Sequence, residues 1–236
     1  MEKDSIIKSY NFSSILEQLF ASLGNFIFII IAANILDSLN FGLIAVQWGL
    51  IMTGLTLFFS IVLLPISSIK DSILNSSEVI SHSITLTLAY LPILFLILLL
   101  GIHLIDTNNI IDINNFFYLL FPWASLNMIY ESVRWLIIRY GSFKILIFAN
   151  FFRWTSFFLF LHLFQLNDVS IDWKIYIQIN FIALISWLIF IFCFYIRKQF
   201  IKKFKITINK NFFKSSFPLT FFNILKTFIN FCFISL

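Results

Sequence analysis

The sequence predicts an all-α fold: a polytopic membrane bundle of six transmembrane helices and the start of a seventh. Of its 236 residues, 60% are hydrophobic and only 11% are charged, which is far from the composition of soluble domains. The apolar residues gather in long stretches, and a helix needs about 20 of them to cross a bilayer. They do not form short alternating segments, so a transmembrane β-barrel is excluded.

Seven apolar stretches follow one another, separated by polar segments rich in Asn, Asp, Ser or Lys. The predicted spans are Ser13–Ile35, Phe41–Ile66, Ser83–Ile105, Phe116–Ile138, Ser142–Leu166, Lys174–Ile196 and Phe217–Leu236. We therefore expect a six-helix lobe over residues 1–196, a basic cytoplasmic linker over 197–216, and over 217–236 a seventh helix that starts an apparently truncated second lobe.

The charged residues predict the orientation of the chain. Basic residues lie before the first span and in every second connection: Lys3, Lys8, Lys70, Arg139, Lys144 and a run over 197–214. The other connections carry Asp37, Asp106, Asp112, Asp168 and Asp172. The positive-inside rule then places the N-terminus and the basic connections in the cytoplasm. A basic run beside a membrane helix predicts contact with lipids, not with nucleic acid.

No residue pattern predicts a cofactor, a metal or an enzyme. Cys193 and Cys232 lie in apolar runs and indicate neither a disulfide nor a metal site. His82, His103 and His162 lack the spacing of metal ligands. We find no catalytic constellation, so we expect a protein that is not an enzyme.

The first two spans carry small and polar residues on one face each. On a helical wheel one arc of the first span holds Ser14, Glu17, Gln18, Ala21, Gly24, Asn25 and Ala32. Such an arc is expected to face other helices or water. Glu17 also fits a capping box that begins at Ser14, so the capping role and the cavity role stay open. In the second span, close helix packing is expected of a stripe formed by Gly42, Ala45, Gly49, Thr53, Thr56 and Ser60.

The fourth and fifth spans carry charged residues inside the predicted membrane region. Asn127, Glu131 and Arg134 share a face with Tyr130, and Glu131 and Arg134 can pair at i, i+3. Arg134 lies one turn from the helix end, so it can also snorkel. Asn150 and Arg153 lie in the fifth span, and an arginine so deep should face the bundle interior, paired with Glu131 or lining a wet cavity. A guanidinium suits phosphate, so an anionic lipid headgroup or a diphosphate is the expected guest.

The first hairpin, Gln18-Leu19-Phe20-Ala21-Ser22-Leu23-Gly24-Asn25-Phe26 and then Asn40-Phe41-Gly42-Leu43-Ile44-Ala45, resembles that of polysaccharide flippases. These belong to the superfamily of multidrug, oligosaccharidyl-lipid and polysaccharide exporters. The resemblance implies a MATE-like N-terminal lobe in a bacterial inner membrane, and transport of undecaprenyl-diphosphate-linked oligosaccharide units for O-antigen or capsule. It implies Arg153 and Arg134 as cavity cations, with Glu131, Glu17, Asn25, Gln18, Asn127 and Asn150 as polar lining.

Family members have two lobes, so a homodimer or a separate C-terminal lobe is the expected partner, besides membrane lipids and the lipid-linked oligosaccharide. Three alternatives remain open. The first is a multidrug antiporter of the same superfamily, which would need a deep carboxylate such as Glu17 or Glu131. The second is a membrane-embedded polysaccharide polymerase or acyltransferase, and the third is an inactive fragment.

Overall fold

The computed structural model describes residues 2–64, 66, 76–105, 115–140 and 143–196, with the backbone alone at 2–14, 76–77, 104–105 and 195–196. These residues form six long helices and no strand, which confirms the all-α class. The helices are α1 (Glu2–Ile35), α2 (Ser38–Phe58), α3 (Ser76–Ile105), α4 (Phe121–Arg139), α5 (Phe143–Leu166) and α6 (Trp173–Ile191). Short π-helical turns extend three of them: Phe59–Leu63 after α2, Phe116–Leu120 before α4, and Phe192–Ile196 after α6. The predicted linker 197–216 and seventh helix 217–236 lie outside the described residues.

Five stretches are long and apolar enough to cross a membrane, as in a multi-pass membrane protein. They are Ile15–Ile35, Ser38–Leu63, Glu78–His103, Phe143–Leu166 and Trp173–Phe194. The remaining helix, α4, is not among them, and it carries Asn127, Glu131 and Arg134. It packs against α2, α3, α5 and α6.

Two acidic connections lie together at one end of the bundle. Asp37 caps α2 by accepting a hydrogen bond from the backbone N of Asn40 at 2.8 Å, and Asp172 caps α6 by accepting one from the backbone N of Ile175 at 2.8 Å. The Asn40 side chain joins the two connections, because its Oδ1 accepts from the backbone N of Trp173 at 3.3 Å. We call this the acidic end. Arg139 and Lys144 mark the opposite, basic end.

Hydrogen bonds from the backbone and side chain of Asn40 lower the pKa of Asp37. Because the folded-state pKa lies below the unfolded one, this carboxylate stabilises the bend at neutral pH. That stabilisation is lost as the pH falls through the lowered pKa.

Removing the cap of α6 should destabilise the protein. In Asp172→Ala the backbone N of Ile175 loses its acceptor, and loss of an N-cap costs about 1 kcal/mol. Thermal unfolding of the purified protein in detergent measures this loss as a lower Tm. Ser170→Ala changes an exposed residue of the same connection and should leave the Tm unchanged. Equal melting of the two variants would contradict a capping role for Asp172.

Aromatic rings from five helices form the centre of the core. The ring of Phe28 in α1 lies 5.3 Å from Trp48 in α2 and 4.9 Å from Tyr176 in α6, centroid to centroid. Trp123 of α4 and Phe157 of α5 each lie 6.0 Å from the same ring. The remaining helix, α3, packs on this core through the ring of Tyr90, which lies 5.2 Å from that of Phe58 in α2, and through polar contacts. The Tyr90 hydroxyl donates to the carbonyl of Gly54 in α2 at 3.0 Å, and the hydroxyls of Thr87 and Ser132 in α4 lie 2.9 Å apart.

The wheel of α1 predicted its buried face, whereas most of the small-residue stripe of α2 does not pack against the described helices. Along α1 the residues Glu17, Gly24, Phe28 and Ala32 are buried on one face. Along α2 the buried face consists instead of Ile44, Gln47, Ile51, Gly54 and Phe58. Most of the small stripe lies outside that face, where Ala45, Gly49 and Thr53 are exposed, although Ser60 is buried. A Cβ added at Gly42 or Gly49 would meet no described atom within 4 Å.

Candidate functional site

Arg153 is a buried cation in the middle of α5. It is 3% exposed, and its Cζ lies 4.8 Å from the ring centroids of both Tyr130 and Trp154. Its Nη2 reaches Asn180 Oδ1 of α6 at 3.5 Å, which is a long hydrogen bond. The expectation that Arg153 faces the bundle interior is confirmed. The rings stabilise its charge without removing its capacity to donate hydrogen bonds.

The surroundings of Arg153 are short of hydrogen-bond acceptors. The buried Arg153 Nε, Asn150 Nδ2 and Asn180 Nδ2 have no acceptor among the described residues. One acceptor of this group, Asn150 Oδ1, already receives the Tyr130 hydroxyl at 3.2 Å. Leaving a buried donor unpaired costs about 1–3 kcal/mol. A group that brings acceptor oxygens, whether water or an anion, would offset this cost for any of these donors that it reaches.

A cavity of about 210 Å³ lies beside this cation. Its apolar wall comes mainly from α2 and the π-helical turn that follows it. The polar groups of the lining are Thr56 of α2, Asn25 of α1, Asn127, Tyr130 and Glu131 of α4, and Arg153 of α5. The cavity therefore offers a positive group and a negative group to the same guest.

Arg134 joins two carboxylates next to this cavity. Its Nε and Nη2 donate to the two carboxylate oxygens of Glu17 at 2.6 and 3.0 Å, and its Nη1 donates to Glu131 Oε2 at 3.0 Å. The side chain of Glu17 is 1% exposed and that of Arg134 is 12% exposed. The bidentate geometry is the strong form of an arginine–carboxylate pair. We call Glu17, Arg134 and Glu131 the ionic triad.

The ionic triad decides between alternatives that the sequence left open for three residues. It also corrects the expectation that Glu17 and Arg134 line the cavity, because neither is among the residues that line it. Glu17 is not a helix cap, because α1 already begins at Glu2 and Glu17 lies several turns inside it. Arg134 does not simply snorkel to the surface, since it is held between two carboxylates. Glu131 does not pair with Arg153, because the i, i+3 arginine on its own helix takes that place. The triad carries one net negative charge, which balances Arg153 from a distance.

The other predicted residues are placed differently from one another. Asn25 is half-buried and lines the cavity, and so does the buried Asn127, whose Nδ2 donates to the Trp123 carbonyl at 2.9 Å. Asn150 is buried beside Tyr130 and, against expectation, is not among the residues that line the cavity. Gln18 is exposed and lies outside the lining, because it stands at the edge of the buried arc of α1.

Two buried amides were missed by the sequence reasoning. Asn180 contacts Arg153, and Gln47 is 0% exposed with neither amide atom partnered among the described residues. Each is a polar residue in the middle of an apolar helix. That position is itself a signal of function inside a membrane, and it could have identified both.

No known protein family, characterised protein or solved structure matches this chain. The assignment of a function therefore depends on the buried cation, its unpaired donors and the cavity beside them.

Proposed function

We propose that this chain forms one lobe of a membrane transporter that flips undecaprenyl-diphosphate-linked oligosaccharides across a bacterial inner membrane. The observation that carries the proposal is a buried arginine with unpaired donors around it, at the wall of a cavity between helices. Arginine forks fit phosphate oxygens, and of the residues in this buried polar group it is Arg153 that lines the cavity. Asn25 and Asn127 can donate hydrogen bonds to sugar hydroxyls and accept them, and Glu131 can accept them.

The size of the cavity limits what it can hold. Pockets for drug-sized ligands enclose about 300–1,000 Å³, and this cavity has about 210 Å³. It is therefore too small for a whole repeat unit, and only a part of the substrate would lie in it. The rest of the substrate would lie between this lobe and a second one. We propose that a second copy or a separate C-terminal lobe supplies that lobe, in a MATE-like arrangement with the basic end and the N-terminus in the cytoplasm.

Complementation tests this function. The chain should restore surface polysaccharide in a flippase-deficient strain that has the matching sugar pathway, either alone or together with a C-terminal lobe. Arg153→Ala should lower that restoration about tenfold or more, because a hydrogen bond to a charged group contributes about 1.5–3 kcal/mol. Arg153→Lys should recover it only in part, since it keeps the charge and loses the fork.

The matched control is Lys144→Ala, which removes an exposed cation from the same helix. Membrane insertion of each variant is measured by fractionation. Equal restoration by Arg153→Ala and the wild type would remove Arg153 from the substrate site. No restoration by any combination of lobes, with insertion intact, would reject the flippase function.

A second candidate function is a multidrug antiporter, which one observation favours. Glu131 lines the cavity and is a quarter exposed, so it can meet a cationic drug. Efflux of cationic dyes from cells that express the chain separates the two functions. Dye efflux lost in Glu131→Gln, without restored polysaccharide, would favour the antiporter.

A further inference from the structure

Two opposite charges that ion pairing leaves over line the same cavity. Arg153 forms no ion pair within the described part of the chain, because its contacts are two aromatic rings and an asparagine. The ionic triad has two carboxylates and one guanidinium, so it carries one negative charge in excess. Arg153 and one member of the triad, Glu131, both line the cavity of about 210 Å³. A guest in this cavity therefore meets an unpaired positive charge and an excess negative charge.

The excess negative charge of the ionic triad lies at Glu131. Both oxygens of Glu17 accept hydrogen bonds from Arg134, and the Glu17 side chain is 1% exposed. Of Glu131, only Oε2 accepts from Arg134, and no hydrogen bond between described residues uses its Oε1. The Glu131 side chain is 25% exposed and lines the cavity. An ionised carboxylate only accepts hydrogen bonds, so Glu131 favours a guest that donates them, and a cationic donor most of all.

The aromatic part of the lining also favours a cationic group. Trp48 lines the cavity, and its ring lies 5.3 Å from Phe28 and 5.5 Å from Trp123, centroid to centroid. These two contacts hold the indole in place. Among aromatic rings, that of Trp attracts a cation most strongly. An ammonium group in this cavity can therefore be stabilised by a carboxylate and by an aromatic ring.

We propose that this cavity binds a zwitterionic guest, in which a phosphate and a primary ammonium stand a few bonds apart. Arg153 binds the phosphate, and Glu131 binds the ammonium. An anion alone would leave Glu131 without a donor, and a cation alone would leave Arg153 without an acceptor. A guest with both groups gives each of these side chains a partner of opposite charge, and unpaired charges inside a membrane are costly.

The inference rests on the proposed function, because it names the kind of unit that the same cavity would carry. In a lipid-linked oligosaccharide this unit is a sugar that is joined to phosphate and has a free amino group. The ethanolamine phosphate headgroup of a membrane lipid has the same chemistry. Both sources bring a phosphate for Arg153 and an ammonium for Glu131.

Isothermal titration calorimetry of the purified chain in detergent tests this chemistry with three probes. Phosphoethanolamine has both charged groups, glycerol phosphate lacks the ammonium, and ethanolamine lacks the phosphate. Phosphoethanolamine should bind about tenfold or more tightly than either of the others, because each charged group adds a hydrogen bond to an ion. Equal affinity for phosphoethanolamine and glycerol phosphate would overturn the proposal, and this comparison uses the wild-type chain alone.

Two variants assign the two charges to their side chains. Glu131→Gln should weaken the binding of phosphoethanolamine about tenfold or more, but not that of glycerol phosphate, since only the ammonium loses its partner. Arg153→Gln should weaken the binding of both probes. Asp168→Asn is the matched control for Glu131→Gln, because it removes an exposed carboxylate at a positive φ that Asn tolerates, and it should keep both affinities. Wild-type affinity of Glu131→Gln for phosphoethanolamine would contradict the proposal.

Two further pairs of probes separate the sources of the guest. Tighter binding of glucosamine 1-phosphate than of glucose 1-phosphate would identify an amino sugar. Tighter binding of phosphatidylethanolamine than of phosphatidylglycerol, measured by native mass spectrometry, would identify a lipid headgroup. No preference for the ammonium in either pair would overturn the proposal.

The same measurements keep this inference apart from the proposed function. Binding of the zwitterionic probes without complementation of the flippase-deficient strain would reject the flippase function and leave the inference standing. Complementation by a chain that does not distinguish phosphoethanolamine from glycerol phosphate would reject the inference alone.

Discussion

Arg134→Ala should destabilise the protein by about 3–5 kcal/mol, which is the cost of removing one partner from a buried ion pair. Glu17 would remain 1% exposed without the two N–H donors that now bind both of its oxygens. Glu131 would lose its donor at 3.0 Å as well. Thermal unfolding in detergent measures the loss as a large fall in Tm, together with a lower yield of folded protein.

The control variants separate the loss of a pair from the loss of a charge. Lys144→Ala removes an exposed cation and should change the Tm little. Replacing the whole ionic triad by apolar residues, in Glu17→Leu, Glu131→Leu and Arg134→Met together, should be nearly neutral or stabilising, because no buried charge is left unpaired. If the triple variant were as unstable as Arg134→Ala, side-chain packing and not charge pairing would explain the loss.

One of the two ion pairs in the ionic triad could be predicted from the sequence. Glu131 and Arg134 stand at i, i+3 on one helix, and that spacing alone predicted their contact, which the structure confirms. The bidentate bond to Glu17 joins residues 117 positions apart. No local pattern encodes which helices are neighbours, so the capping box seemed an equally good explanation of Glu17.

For Arg153, too, the sequence predicted the position of the side chain but not its contacts. Its depth in the span predicted an interior position, because a charge facing lipid is costly. Its neighbours depend on how α4, α5 and α6 pack, and the sequence contains two carboxylates that could have paired with it. In the structure the carboxylates of Glu17 and Glu131 both bind Arg134. Arg153 instead contacts two aromatic rings and an asparagine.

The hydropathy pattern predicted where the helices lie, whereas the small-residue stripe did not predict which face of α2 is buried. The long apolar spans follow from composition and appear as helices with shifted ends, as where α3 begins at Ser76 and not at Ser83. Small residues on α2 indicate that a second helix could pack closely against that face, but they do not determine that one does. In the described bundle α2 instead buries Ile44, Ile51 and Phe58, because larger apolar side chains fill the space between helices.

Gly24→Ala should lower both stability and transport, although it adds only one methyl group. A Cβ at Gly24 would overlap the indole ring of Trp154, and overpacking of this kind costs about 1–3 kcal/mol. The same ring lies 4.8 Å from the Arg153 guanidinium, so a displaced Trp154 also displaces the buried cation. A lower Tm in detergent and weaker complementation of the flippase-deficient strain are the expected results.

Gly49→Ala is the matched control, because its Cβ would meet no described atom within 4 Å. It should be neutral or slightly stabilising, since Ala favours a helix by up to about 1 kcal/mol over Gly. Trp154→Ala removes the ring, so adding Gly24→Ala to it should cost much less than in the wild type. An equal cost in both backgrounds would show that Trp154 is not the residue that the new methyl group meets. A smaller loss of stability from Gly24→Ala in the Trp154→Ala background, together with low transport in each variant that lacks the ring, is the expected result. It would show that Gly24 affects the position of Arg153 through Trp154.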